Sequence, residues 1–240
     1  MRAALALRSD SPQAHIYLAE RLKDMGDLDG AIRHCQTAVR LDPNYIWAHE
    51  QLALALLSKG RFDEAIEECR TCCRIRGKDD ALDHNLIGIA LHRKGLLDEA
   101  IAEYRKAIQL DLTKDNPAPH FNLGLALKVK GQLDEAIAEN QQAIQIVKNS
   151  LLPEEKITAE YHDQIGCILY RKRQLDEAIA EFREAIRLNK DWAEPHNHIV
   201  FPLTGKGLVG EAVAECREAI RLDPNHAEAH NNLSRSSKVF

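Results

Sequence analysis

Leu133-Asp134-Glu135-Ala136-Ile137 is one of six near-copies of a single five-residue phrase. The others are Leu28-Asp29-Gly30-Ala31-Ile32, Phe62-Asp63-Glu64-Ala65-Ile66, Leu97-Asp98-Glu99-Ala100-Ile101, Leu175-Asp176-Glu177-Ala178-Ile179 and Val209-Gly210-Glu211-Ala212-Val213. Their alanines are separated by 34, 35, 36, 42 and 34 residues. Seven of the eleven histidines run in phase with them: His15, His49, His84, His120, His162, His196 and His230. Two in-phase series of this length identify an internally repeated chain, and a period of this size means stacked supersecondary units.

Each unit reads as two helices. In the fourth, His120-Phe121-Asn122-Leu123-Gly124-Leu125-Ala126-Leu127 carries apolar and small residues at spacings of three and four, the period of an amphipathic helix. Lys130-Gly131 ends it, glycine entering the left-handed turn without a Cβ penalty. Asp134-Glu135 then suits the positive end of a second helix. Arg40-Leu41-Asp42-Pro43-Asn44 and Arg221-Leu222-Asp223-Pro224-Asn225 read as helix ends, basic residues facing the carbonyl terminus and proline blocking continuation. Ser11-Pro12 and Asn116-Pro117 read as N-caps followed by proline at the first helical position.

This pattern resembles the tetratricopeptide repeat family over nearly the whole chain. The Leu-Gly or Leu-Ala pair of the first helix stands at Leu18-Ala19, Leu52-Ala53, Ile87-Gly88, Leu123-Gly124 and Ile165-Gly166. The turn glycine stands at Gly26, Gly60, Gly95, Gly131 and Gly207, and the small residue of the second helix at Ala38, Cys72, Ala107, Ala143, Ala185 and Ala219. The resemblance implies an all-α, right-handed solenoid of antiparallel helix pairs, a single array over 1–240. Its repeats are 12–45, 46–79, 81–114, 117–150, 159–192 and 193–226, with a partial helix over 1–11 and a partial repeat over 227–240. Ala4-Leu5-Ala6-Leu7 falls in phase with the end of a second helix, so the array reads as cut from a longer one or as starting inside one. Three departures stand out: Arg173 at a turn glycine, an inserted loop at Leu151–Thr158, and Val200 with Pro202 inside the first helix of the sixth repeat. Proline in a helix interior costs about 3 kcal/mol.

Composition narrows the function. The net charge of -5 argues against nucleic acid and anionic membranes as partners, and no apolar run reaches the roughly 18–20 residues of a membrane span. Two Trp, five Tyr and five Phe leave Ala, Leu and Ile to build the core. Cys35, Cys69, Cys72, Cys73, Cys167 and Cys216 read as free thiols of a reducing compartment, hence a cytoplasmic protein. Cys69, Cys72 and Cys73 have no histidine nearby in sequence to complete a zinc set, and histidines one repeat apart cannot converge on one ion. No metal and no cofactor are expected. The histidines, at a position where the family usually has a bulky aromatic, read as core filler with a polar tip, a pH-responsive ladder being the alternative. There is no phosphate loop, His-Glu-x-x-His or Gly-x-Ser-x-Gly, and the recurring Asp-Glu pairs fit helix N-termini.

In the family one stripe of each first helix lines a concave groove that holds peptides. Here the stripe is apolar in repeats two to four, and the expected partner-binding residues are Trp47, Leu54, Leu57, Leu82, Asn85, Ile89, Phe121, Asn122 and Leu125. Asn122 and Asn232 match part of the asparagine ladder seen in repeat superhelices resembling that of O-linked N-acetylglucosamine transferases, with Gln51 and Gln164 as partial substitutes. Tyr17, Leu86 and His198 interrupt it. The expectation is a non-catalytic scaffold that binds an extended peptide or partner protein in the groove. The rivals are a substrate-recognition arm of a larger enzyme, such as a glycosyltransferase or bacterial protein kinase, and self-association through the terminal repeats.

Overall fold

The computed structural model describes residues 11–149 and 155–236; Ala4-Leu5-Ala6-Leu7 and the first half of the inserted loop lie outside them. The described residues are helices joined by short turns, in two compact units, 1–114 and 115–240. The first unit holds α1 (Pro12–Asp24), α2 (Leu28–Leu41), α3 (Ile46–Lys59), α4 (Phe62–Arg76), α5 (Ala81–Arg93) and α6 (Leu97–Leu110). The second holds α7 (Ala118–Lys130), α8 (Leu133–Asn149), α9 (Glu155–Arg171), α10 (Leu175–Leu188), α11 (Ala193–His198), α12 (Val200–Gly205), α13 (Val209–Leu222) and α14 (Ala227–Ser236). In each unit the first and second helices of a repeat pack as a hairpin, and each hairpin packs on the next.

The local signals do what their chemistry dictates. Ser11 Oγ caps its helix by accepting the Ala14 amide at 3.4 Å. Asn116 Oδ1 accepts the Ala118 amide at 3.1 Å, but the helix begins at Ala118, one residue later than Asn116-Pro117 implies, with Pro117 at the cap. Asp42 Oδ1 and Asp223 Oδ1 each accept the amide two residues on at 3.0 Å, closing the Asp-Pro-Asn turns. The aspartate of the repeated phrase also takes a lysine from the next repeat, as in Lys59–Asp29 at 2.9 Å and in Lys172–Asp134. Such exposed pairs contribute little each.

Arg173 keeps the glycine turn rather than replacing it. Its φ is +65°, and the amides of Arg173 and Gln174 reach back to Tyr170 and Leu169 at 3.0 Å, the helix-ending pattern of its glycine counterparts. A non-glycine residue in this region costs about 1–2 kcal/mol. Arg173→Gly is expected to stabilise the fold by about 1 kcal/mol, read as a raised midpoint in chemical denaturation. An unchanged or lowered midpoint would show the strain to be absent.

The insertion is shorter as a loop than the repeat register implies. Glu155–Thr158, expected in the loop, form the first turn of α9, because Ile157, Tyr161 and Ile165 continue one apolar stripe into the core and Thr158 is buried. Pro202 divides the first helix of the sixth repeat at Ile199, giving α11 and α12. The break is packed: Pro202, Val200 and Leu203 are buried, and the Leu203 amide reaches Ile199 O at 3.1 Å.

Val200 fits because of what faces it. Sixteen residues on, the second helix presents a large side chain where the first has glycine: Tyr104 over Gly88, Asn140 over Gly124 and Phe182 over Gly166. A Cβ at those glycines would lie 2.5, 2.4 and 2.7 Å from the facing side chain. Where the first helix has Ala19, Ala53 or Val200, the second has Cys35, Cys69 or Cys216 at the same spacing, all buried. The volumes trade off across the hairpin, so three cysteines are packing partners of a larger residue opposite.

Candidate functional site

The repeated histidines pair across each hairpin. Every Nδ1 from His15 to His196 meets a side chain nineteen residues on. His49 reaches Glu68 at 2.6 Å, His120 Glu139 at 2.7 Å, His162 Glu181 at 2.6 Å and His196 Glu215 at 2.6 Å. His84 likewise bonds Glu103. In the first repeat the partner is His34, with the nitrogens 2.9 Å apart, so one ring must donate and the other accept; burial, then the neighbouring His15, hold the His34 pKa down. Filler with a polar tip therefore understates these residues: each ties its first helix to its second. The glutamate series Glu68, Glu103, Glu139, Glu181 and Glu215 carries this in the sequence, where it passes unnoticed among surface charges.

At His49 both ring nitrogens face acceptors, Glu68 and the Pro43 carbonyl at 3.1 Å, so the protonated ring donates to both. The Glu68 hydrogen bond raises the His49 pKa above its ordinary 6.5, against desolvation that lowers it. A raised folded-state value gives stability that is full below the unfolded pKa and is lost as pH rises through the folded one. The protein should therefore exceed Glu68→Gln in stability most below about pH 6.5, with the gap narrowing above it. Denaturant midpoints of the two across pH 5.5–8.5 check this; a gap independent of pH would refute it.

The stripe expected to bind partners is brought together in part. In the first unit Leu54 and Leu57 of α3 and Ile89 of α5, with Leu86, Phe62 and Arg93, line an open cleft of about 510 Å³ between the first helices of repeats two and three. Trp47 and Leu82 occupy equivalent positions on those two helices outside the cleft, 40% and 39% exposed. Tyr45 meets the Trp47 ring edge-on at 6.1 Å, which orients it without covering it. Asn85 is placed differently: it is 6% exposed and already engaged.

In the second unit Phe121 is half-buried, its ring 4.8 Å from that of Tyr161, and it packs on the core of repeats four to six. Leu125 and Asn122 are half-buried, and Asn122 has a partner. Gln164, at the ladder position one repeat on, accepts from Lys128. The sequence-based set omitted a second cleft, about 500 Å³, lined by Tyr170, Phe201, Thr204, Asn232 and Arg235. Tyr170, Phe201 and Thr204 belong to the same stripe of repeats five and six; an aromatic residue on that stripe in each of two adjacent repeats was the available signal. Behind it Asn232 donates to Asn197 Oδ1 at 2.9 Å, and His198 meets Asp163 at 2.9 Å. Desolvation opposes the His198 charge, but hydrogen bonds to Asp163 and Cys167 outweigh it and raise its pKa to about 10.

Among the described residues no helix is long and apolar enough to cross a membrane. Three tetratricopeptide repeat models match the chain, over residues 22–71, 88–131 and 115–191, together more than half of it. No curated protein matches the sequence. Among solved structures, a chain of the APC/C hetero-tetramer Cut9-Hcn1 superposes with a TM-score of 0.83 at 20% identity, over 98% of this chain and 44% of that one. This chain thus spans less than half the length of that relative. PilF of Pseudomonas aeruginosa superposes at 0.74 and 18% identity, over 95% of this chain and 99% of PilF. A MamA structure gives 0.57 at 24% identity, over 72% and 94%. At these identities the likeness establishes the all-α repeat fold.

Proposed function

The chain belongs to the tetratricopeptide repeat family, and we propose that it is a non-catalytic scaffold that binds an extended segment of another protein along its first helices. Repeats of this family generally mediate protein–protein interaction. The observation that carries this reading is the open cleft in which Leu54, Leu57, Phe62, Leu86 and Ile89 stand together with Ser58, Lys59 and Arg93, continued by exposed Trp47 and Leu82. A surface already ordered by folding spares the complex that entropic cost on binding. Apolar side chains of the segment enter the cleft, and Trp47 acts as the large, rigid anchor that dominates such interfaces.

The test captures a partner with the chain, using Trp47→Ala/Ile89→Ala as control, and then measures the affinity of the partner's binding segment. Trp47→Ala is expected to cost roughly 2 kcal/mol or more, with helicity unchanged. Arg105→Ala, exposed on the second helix of repeat three, should cost almost nothing. Undiminished affinity in both Trp47→Ala and Ile89→Ala would overturn this assignment of the groove.

A further inference from the structure

The fold supplies the histidine that Cys69, Cys72 and Cys73 lack in the linear sequence. After α4 the chain turns through Gly77, at φ +69°, and α5 returns His84 over the end of α4. The Cys73 Sγ, a carboxylate oxygen of Asp79 and a ring nitrogen of His84 lie within 4.8 Å of one another. His84 Nδ1 is taken by Glu103. Its Nε2 is buried without a hydrogen-bond partner, in a residue 6% exposed, and points at Asp79 Oδ1 from 3.7 Å.

The Nε2 of His162 is likewise buried without a hydrogen-bond partner, but among the described residues it belongs to no such cluster, whereas at the junction of repeats two and three a carboxylate and a thiol stand beside His84. In repeats that follow an Asp-Pro-Asn turn, the proline carbonyl caps the same nitrogen: His49 on Pro43 at 3.1 Å and His230 on Pro224 at 3.0 Å. Here Gly77-Lys78-Asp79-Asp80 replaces that turn, and a carboxylate and a thiol stand where the carbonyl would be. Lys106 holds Asp79 Oδ2 at 2.6 Å, leaving Oδ1 to the site. Cys73 Sγ lies 3.5 Å from Asp83 Oδ2 and takes a backbone hydrogen bond from Asp80. The nearby Arg76 charge is balanced by Glu50 and Asp83. The other close set, Asp163, Cys167 and His198, is different: its His198 Nδ1 is already bonded to Asp163.

We propose that Cys73, Asp79 and His84 form a binding site for a divalent transition-metal cation, zinc above all, with one position open to water. Thiolate, imidazole and carboxylate are zinc's ligand types, whereas magnesium and calcium take oxygen ligands. Zinc bonds of about 2.0–2.3 Å set tetrahedral edges of about 3.3–3.6 Å for one sulfur with nitrogen and oxygen ligands. The 3.7 Å between His84 Nε2 and Asp79 Oδ1 is a few tenths of an ångström longer, and rotation of the exposed Asp79 and half-buried Cys73 closes the difference. Glu103, His84 and the ion make the carboxylate–histidine–metal relay that orients such ligands. The thiol proton leaves to solvent as the Cys73 thiolate binds. The bound ion ties the last turn of α4 to the first of α5.

The experiment strips the full chain with chelator and titrates it with zinc, then with cobalt as a spectroscopic substitute. One equivalent is expected to bind, with a thiolate-to-cobalt charge-transfer band. Cys73→Ser should abolish the band. Asp79→Asn, on the surface and harmless to folding, should weaken zinc about tenfold or more, and Glu103→Gln about 10–100-fold through the relay. Cys72→Ala restores the alanine of the other five repeats and should change nothing. The proposal is overturned if the wild type binds no equivalent, if cobalt shows no thiolate band, or if Asp79→Asn and folded Cys73→Ser bind undiminished.

Discussion

Gly166→Val is expected to destabilise the protein by roughly 3 kcal/mol, and Phe182→Cys in the same chain to restore most of that loss. A Cβ on Gly166 would lie 2.7 Å from the Phe182 ring, and Phe182 is only 1% exposed, so it has nowhere to withdraw. Overpacking of this kind costs about 1–3 kcal/mol and sometimes more. Phe182→Cys alone should cost about 3–5 kcal/mol, the range for emptying a buried phenyl site. Together the two substitutions rebuild the Val200–Cys216 arrangement of the next repeat, where both residues are buried in one core. A double-mutant cycle by urea denaturation should give a coupling of about 5 kcal/mol or more, the two single losses less the small loss left in the double variant. Additive losses would show that the two positions do not share volume.

Arg76→Met should cost about 3–5 kcal/mol, the penalty for leaving a buried charge without its partner. The Asp83 side chain is 0% exposed, and one of its oxygens has no hydrogen-bond partner, so Arg76 is its principal compensation. The arrangement is asymmetric. Arg76 is 19% exposed and also holds Glu50 at 2.5 Å. Asp83→Ala should therefore cost only about 1 kcal/mol, since alanine is the buried residue at the equivalent Ala48 and Ala229. Arg76→Met/Asp83→Ala should sit near the Asp83→Ala value. Equal losses for the two single variants would show the burial of Asp83 to carry no charge penalty.

Most of the described residues were legible at the level of helices and turns because those signals act within a few residues of themselves. Gly131, Ser11-Pro12 and Asp42-Pro43-Asn44 each set the backbone where they stand, and the amphipathic stripe assigns a face without reference to a partner. The groove was legible in part for the same reason: a stripe on one helix places Leu54, Leu57 and Ile89 on a common side. How deeply each residue sits depends on the next hairpin, which is why Asn85 is engaged in the interior and Phe121 packs on Tyr161.

The sequence by itself determined the repeat, its register, the antiparallel helix pairs and the family, because a two-helix unit repeated in phase allows one way to bury its stripes. Tertiary structure decided the pairings across helices. Glycine against tyrosine, asparagine or phenylalanine, valine against cysteine, and histidine against glutamate depend on the crossing and spacing of two helices sixteen to nineteen residues apart. Their signal was a correlation between two repeat positions rather than a motif at one. The neighbourhood of Cys73, Asp79 and His84 arises where one inter-repeat turn departs from Asp-Pro-Asn, and only a folded chain shows that the departure leaves His84 Nε2 facing a carboxylate and a thiol instead of a carbonyl.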